Sequence, residues 1–175
     1  RDLGLDYSIG SVHFIPTQNG TLVDIDGNFE RFSDNMQRNF NGDIRYVVDT
    51  YFRQSLEMIE AGGFDILGHF DKVAHNASLW QPGIEDEPWY AEWINRMFEA
   101  ISESGLIVEV NTKSYVRHGR LFPSMRHLPR LLASGATILV NSDAHDTRLI
   151  NASREYVFGL LDGISISSRQ LYAET

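Results

Sequence analysis

The chain of 175 residues has no cysteine, which excludes disulfide frameworks, thiolate metal sites and cysteine nucleophiles together. Any metal it binds must therefore be held by His, Asp and Glu. It also lacks a surplus of cations: 15 Lys and Arg stand against 24 Asp and Glu, a formal net charge of -9. That balance argues against a nucleic-acid partner, whose phosphates need a basic face. No apolar run approaches the roughly 20 residues of a membrane span, and no signal peptide is recognisable at Arg1. A soluble, cytoplasmic protein is expected. No Gly-x-Gly-x-x-Gly or Walker sequence follows an apolar run, which weakens a nucleotide-binding reading.

What is present is ordinary for a globular domain, with 42% hydrophobic and 22% charged residues, and residues 1–175 are expected to form one domain with a real core. One stretch organises the rest. The β-branched, apolar run Thr137-Ile138-Leu139-Val140 stops abruptly in Asn141-Ser142-Asp143-Ala144-His145-Asp146. In parallel α/β architectures the carboxyl end of a strand is where ligands and catalysis sit. Asp143 and His145 are two apart, so on a continuing strand both would face one way. A carboxylate and an imidazole at that spacing suit zinc, manganese or iron. The bland alternative is a polar loop with Asp146 capping a following helix.

Along the chain, residues 6–15 read as a strand with His13 near its end, followed by turn signals at Asn19-Gly20 and Asp26-Gly27 and a short hairpin arm from Thr21 to Ile25. Val48, Phe52, Leu56 and Ile59 recur at helical spacing from Asp43 onward, and Gly62-Gly63 ends that helix. Phe64–Gly68 is a short apolar run ending on His69, with Asp71 two further on. Residues 74–87 read as a loop. Pro88 opens a helix with Trp89, Trp93, Met97 and Ile101 as its expected buried stripe. Leu106–Val110 is a strand running into Asn111. A basic loop, Arg117-His118-Gly119-Arg120, leads past Pro123 to a helix carrying Leu128, Leu131 and Leu132. A last helix is expected over roughly 151–159, with Leu160-Leu161 assigned to a further strand; the Ser-rich tail from Gly163 is unassigned. One unit thus repeats: helix, glycine (Gly63, Gly105, Gly135), short strand, polar tip (His69, Asn111, Asp143). Strands alternating with helices imply parallel pairing in an α/β fold.

A single His at a strand end is more often structural than a ligand. Three of the six histidines, however, end three separate strands (His13, His69, His145), and Asp143 joins the last. Neighbouring strand tips lie about 5 Å apart, so these groups would converge. His75, His118 and His127 fall in loops or on a helix and read as solvated. Lys113, Arg117 and Arg120 follow the strand that ends at Asn111, and Arg45 begins the first long helix. Cations beside a metal tip point to an anionic substrate, with Arg suited to bidentate phosphate contact; the plainer reading of each is a solvated surface.

Taken together, Gly10-Ser11-Val12-His13-Phe14, Gly68-His69-Phe70-Asp71, Glu109-Val110-Asn111-Thr112 and Asn141-Ser142-Asp143-Ala144-His145 resemble the PHP (polymerase and histidinol phosphatase) family, most closely its histidinol-phosphatase branch. The resemblance implies the carboxyl-terminal part of a distorted (β/α)7 barrel with a trinuclear centre of divalent metals (Zn, Mn or Fe). It implies hydrolysis of histidinol phosphate to histidinol and phosphate in histidine biosynthesis. By position, His13, His69, Asp143 and His145 match metal ligands. Asp143 or His145 would protonate the leaving alkoxide, and Arg45 and Arg117 look like substrate-facing arginines, with Asn111, Lys113 and Arg120 beside them. The family's amino-terminal His-x-His, a further His and a bridging Glu have no counterpart here. A partial barrel lacking its first strands is therefore expected, prone to self-association or to pairing with the missing half, and weak in metal binding and turnover by itself. Alternatives are another PHP phosphoesterase, such as a phosphotyrosine phosphatase or an exonuclease-like domain, and a non-catalytic half-barrel.

Overall fold

The computed structural model describes residues 4–164. In chain order the strands and helices are β1 (Ile9–Gly10), β2 (Phe14–Pro16), β3 (Leu22–Asp24), α1 (Phe29–Asn39), α2 (Ile44–Ala61), β4 (Ile66–Leu67), α3 (Val73–Trp80), α4 (Pro88–Ser104), β5 (Ile107–Asn111), α5 (Tyr115–His118), α6 (Leu128–Ala133), β6 (Ile138–Asn141) and α7 (Arg154–Gly163). They fall into two compact units, each discontinuous in sequence. Of the described residues, the first takes 4–10, Gly63–Asp71 and 101–164; the second takes Ser11–Gly62 and Lys72–Ala100. No described helix is long and apolar enough to cross a membrane.

The first unit is built on a four-stranded sheet in the order β1-β4-β5-β6. Every pair is parallel, from Ile9↔Ile66 through Leu67↔Val108 to Asn111↔Asn141. The glycine-strand-tip repeat read from the sequence is the framework of this sheet. Gly63, Gly105 and Gly135 precede β4, β5 and β6 with φ of 90°, 66° and 76°, a region that other L-residues rarely adopt. The following strands are short and buried: Ile66, Leu67, Val108, Val110, Ile138 and Val140 are all core, as expected of parallel strands covered on both faces. Leu128, Leu131 and Leu132 of α6 are buried at the expected spacing.

The second unit carries an antiparallel hairpin, β2 with β3 (Ile15↔Val23). Here the long strand expected over residues 6–15 is corrected. It breaks into β1 and β2, which belong to different sheets, and His13 lies in the connection between them. α2 runs over the predicted span with Asp43 as N-cap accepting from Tyr46 N at 2.9 Å, and Gly62 closes it.

Two helices here were not expected. α1 has only Phe29, Phe32 and Met36 as its apolar residues, with Phe32 and Met36 buried and Asn28 capping its start. Its polar composition hid the i, i+3, i+7 stripe. α3 occupies half of the stretch read as a loop, and a single 3-10 turn (Ile84–Asp86) follows it. His75 accordingly lies half-buried on a helix. In the first unit, Leu160 and Leu161 continue α7 and do not form a strand, with Leu161 buried, and the expected loop at Arg117-His118 is the end of α5.

α4 has the predicted limits, and Met97 and Ile101 of the expected stripe are buried, but in its first half the stripe is set one position over. Tyr90, Ile94, Met97, Phe98 and Ile101 are buried, while Trp89 and Trp93 are half-buried at its edge. Trp93 stacks on Phe52 of α2 (centroids 6.0 Å apart) and donates Nε1–H to Asp49. The Arg45 guanidinium lies 4.0 Å over the Trp89 ring. Two large amphipathic rings at the edge of a stripe mimic its centre in the sequence. The register is testable. Ile94→Ala is expected to cost about 2–5 kcal/mol, and Trp89→Ala about 1 kcal/mol, the scale of an exposed cation–π contact. Urea melts in which Trp89→Ala is the more damaging of the two would put the stripe back where the sequence suggested.

Candidate functional site

In the first unit the residues predicted to act follow the carboxyl ends of adjacent parallel strands. His69 comes two residues after β4, Asn111 closes β5, and Asp143 and His145 follow β6. Two of these tips depart from ordinary backbone geometry. His69 has φ of 26° and Asp143 has φ of 45°, left-handed values that cost a non-glycine residue energy and cluster at functional sites. The Asp143 carboxylate receives the Lys113 ammonium at 2.9 Å, so the tips of β5 and β6 meet through a cation and an anion. His145 presents Nδ1 to the carbonyl of Asp143 at 3.0 Å. A carbonyl can only accept, so Nδ1 carries the proton and the lone pair lies on Nε2, the form that binds a metal or takes up a proton.

Beneath the tips lies a buried acid. Glu109 is 2% exposed. It sits in the middle of β5, on the same face as Asn111 two residues on. Its carboxylate accepts Nδ2–H of Asn141 at 2.6 Å, Nδ2–H of Asn111 at 3.2 Å and the backbone N–H of His69 at 2.9 Å. Burial pushes the Glu109 carboxyl above its usual value, while the three donors pull it back. A second buried acid, Asp71, accepts N–H of Ser124 at 2.7 Å. That bond fastens the chain beyond β4 to the segment that pairs Phe122 with Asn111.

In the second unit His13 has a partner that the sequence did not suggest. Its Nδ1 lies 2.7 Å from Asp26 Oδ2, and the other oxygen of Asp26 lies 3.3 Å from the ammonium of the largely buried Lys72. A carboxylate on Nδ1 fixes the ring and places its lone pair on Nε2, the arrangement that orients metal-binding histidines. The Asp26 turn is itself held. Its N–H donates to Asp24 Oδ1, and Asn76 of α3 donates to the carbonyls of Ile25 and Gly27 at 3.2 and 2.9 Å. His13 and His145 thus both present Nε2 as the lone-pair nitrogen, the tautomer that a divalent metal requires.

The arginines are placed differently. Arg45 belongs to the second unit, bound to Asp49 at 2.8 Å and stacked on Trp89. Arg117 is exposed on α5, and Arg120 lies over the Phe122 ring at 5.8 Å; both are on the segment that leaves β5, with Lys113. Sequence reading missed the parts played by Glu109, Asp26 and Lys72. For Glu109 a signal was present: a carboxylate in the middle of the apolar run Leu106–Val110 must find donors if it is buried. Asp26 was hidden by its resemblance to an Asp-Gly turn.

The sequence matches no protein-family profile and no curated protein. In structure, the chain is similar to the crystal structure of hisK from Listeria monocytogenes, a provisionally assigned histidinol phosphatase, with a TM-score of 0.74 and 18% sequence identity. The fold is shared. The likeness covers 86% of this chain and 57% of that one, so the chain spans little more than half the length of this neighbour.

Proposed function

We propose that this chain is part of a metal-dependent phosphomonoesterase of the PHP type acting on histidinol phosphate. The observation that carries the reading is the tip of β6. On a fold shared with a provisionally assigned histidinol phosphatase, a strained Asp143 with His145 beyond it faces Lys113 of the neighbouring strand. His69, Asp143 and His145 are the proposed metal donors of the first unit, and His13, oriented by Asp26, is the proposed donor of the second. What a divalent ion (Zn, Mn or Fe) supplies when bound is Lewis acidity: water acidified toward neutral pH and positive charge against the phosphoryl oxygens.

The remaining work falls to the chain. Lys113 provides a cation beside the donors, and Arg117 and Arg120 on the same segment provide guanidinium groups suited to phosphate oxygens. Asn111 offers an amide at the tip of β5. Whichever of Asp143 and His145 does not hold the metal delivers the proton to the departing alkoxide, whose pKa is too high for it to leave unprotonated. A local excess of positive charge explains how a chain of net charge -9 accepts a phosphate.

The test is phosphate release from histidinol phosphate, with phosphotyrosine as the competing substrate, by this chain and by any longer polypeptide that contains it. Release that requires manganese or zinc, stops with a chelator and favours histidinol phosphate is expected. Release that survives chelation would remove the metal from the reading, and a preference for phosphotyrosine would replace the substrate.

A further inference from the structure

We propose that Glu109 is a positioning residue whose carboxylate gathers the tips of β4, β5 and β6 and thereby sets the geometry of His69 and Asp143. The inference rests on the reading of those two residues as metal donors. Its basis is the convergence of one donor from each of three strands on a single buried carboxylate: the His69 N–H, the Asn111 amide and the Asn141 amide.

Each contact is fixed independently. Asn111 Oδ1 accepts N–H of Lys113 at 3.0 Å, which determines which end of that amide faces Glu109. Asn141 is registered opposite Asn111 and lies two residues before Asp143. The His69 N–H belongs to the residue whose backbone is strained, so the bond to Glu109 offsets the cost of a φ of 26° at that position.

An ionised carboxylate only accepts hydrogen bonds, and here it meets only donors. An apolar residue in its place would serve the core better, because a buried acid costs desolvation energy that a leucine does not. What the acid adds is direction: it ties the ends of strands that are only two to five residues long. Neither a methyl group nor an amide can replace it. Gln offers one acceptor: with its oxygen at the Oε2 position it keeps His69 and Asn111 but turns a donor toward the Asn141 amide.

Glu109→Leu, which removes both acceptor oxygens, is the first test, read by amide hydrogen exchange of the metal-free chain. Gly68 is the internal control, because its N–H donates to the Gly10 carbonyl in the β1–β4 ladder at 2.9 Å and has no part in the Glu109 cluster. Exchange at His69 is expected to accelerate about 10- to 100-fold, with Gly68 and Val108 unchanged. Manganese affinity, followed by the spectroscopic signal of the free ion, is expected to fall about 10- to 100-fold, the scale for groups that orient metal donors.

Equal acceleration at His69 and Gly68 would show a general support of the sheet, and unchanged exchange and affinity would show no role; either overturns the proposal. If Glu109→Leu does not fold, Asn141→Ala decides by the manganese affinity, since it frees the tip of β6 from the cluster and leaves the acid and its His69 contact in place. A wild-type chain that binds no manganese counts against the proposed function, while the exchange pattern still decides whether Glu109 holds the tips.

Discussion

Asp143→Asn is expected to lower metal-dependent phosphate release by about 100-fold or more, beyond the 10- to 100-fold range seen when only an orienting partner of a metal donor is removed. The substitution is chosen for its backbone. Asp143 has φ of 45°, and Asn is among the few residues that enter the left-handed region readily, so the loop keeps its shape while the charge is lost. Two things then change. The amide is a poor donor to a divalent cation, and the Lys113 ammonium, 2.9 Å from the carboxylate in the wild type, loses its counter-ion. Lys113→Met in the same assay separates them: it removes the cation and leaves the proposed metal donor intact. It should weaken substrate binding, read in KM, more than metal binding. Wild-type turnover by Asp143→Asn would take Asp143 out of the centre.

Phe52→Ala is expected to cost about 3–5 kcal/mol of stability, the range for truncating a buried aromatic. Phe52 is 0% exposed. It meets Tyr90 edge-on at 5.5 Å and Trp93 in a stack at 6.0 Å, and Tyr51 packs against it at 5.4 Å. Such aromatic pairs contribute about 0.5–1.5 kcal/mol each beyond the area they bury. The α2–α4 pair of the second unit is organised around this ring. Because whole domains are stable by only about 5–15 kcal/mol, the loss should be visible as a large drop in the urea midpoint. A change below about 1 kcal/mol would mean that the rings rearrange to fill the space.

How much could be read in advance differs between the two units. In the first, chain order and spatial order largely agree. Each short apolar run between a glycine and a polar tip pairs with the next in parallel, so the positions of His69, Asn111 and Asp143 at strand ends followed from periodicity alone. The resemblance to PHP phosphatases, drawn from four short motifs, agrees with the shared fold. The second unit was read less well. α1 buries only Phe32 and Met36, and α3 is a short helix whose His75, Asn76 and Ser78 interrupt its small apolar residues, so both resemble a loop when taken one residue at a time. The strand expected through His13 failed because Gly10 is a junction. Its Cα approaches the Phe64 ring so closely that an added Cβ would lie 2.8 Å from it, and the chain changes sheets just beyond. A contact between residues so far apart in sequence leaves no local trace. The Glu109 cluster is missing from the sequence for the same reason: its donors come from three segments, and only the oddity of a buried acid marks them.

The left-handed glycines before β4, β5 and β6 divide the sheet into two ends under different constraints. At the amino end, Gly63 and Gly105 are exposed, with nothing within 4 Å of where a side chain would begin; what these positions demand is a backbone angle, not a neighbour. At the carboxyl end the demand is on chemical identity, in His69, Glu109, Asn141 and Asp143. Substitution in the turns therefore bears on how readily the sheet assembles, and substitution at the tips bears on the polar cluster that gathers the strand ends. A chain built this way can vary its turns and its polar tips separately, because the two ends of each strand answer to different demands.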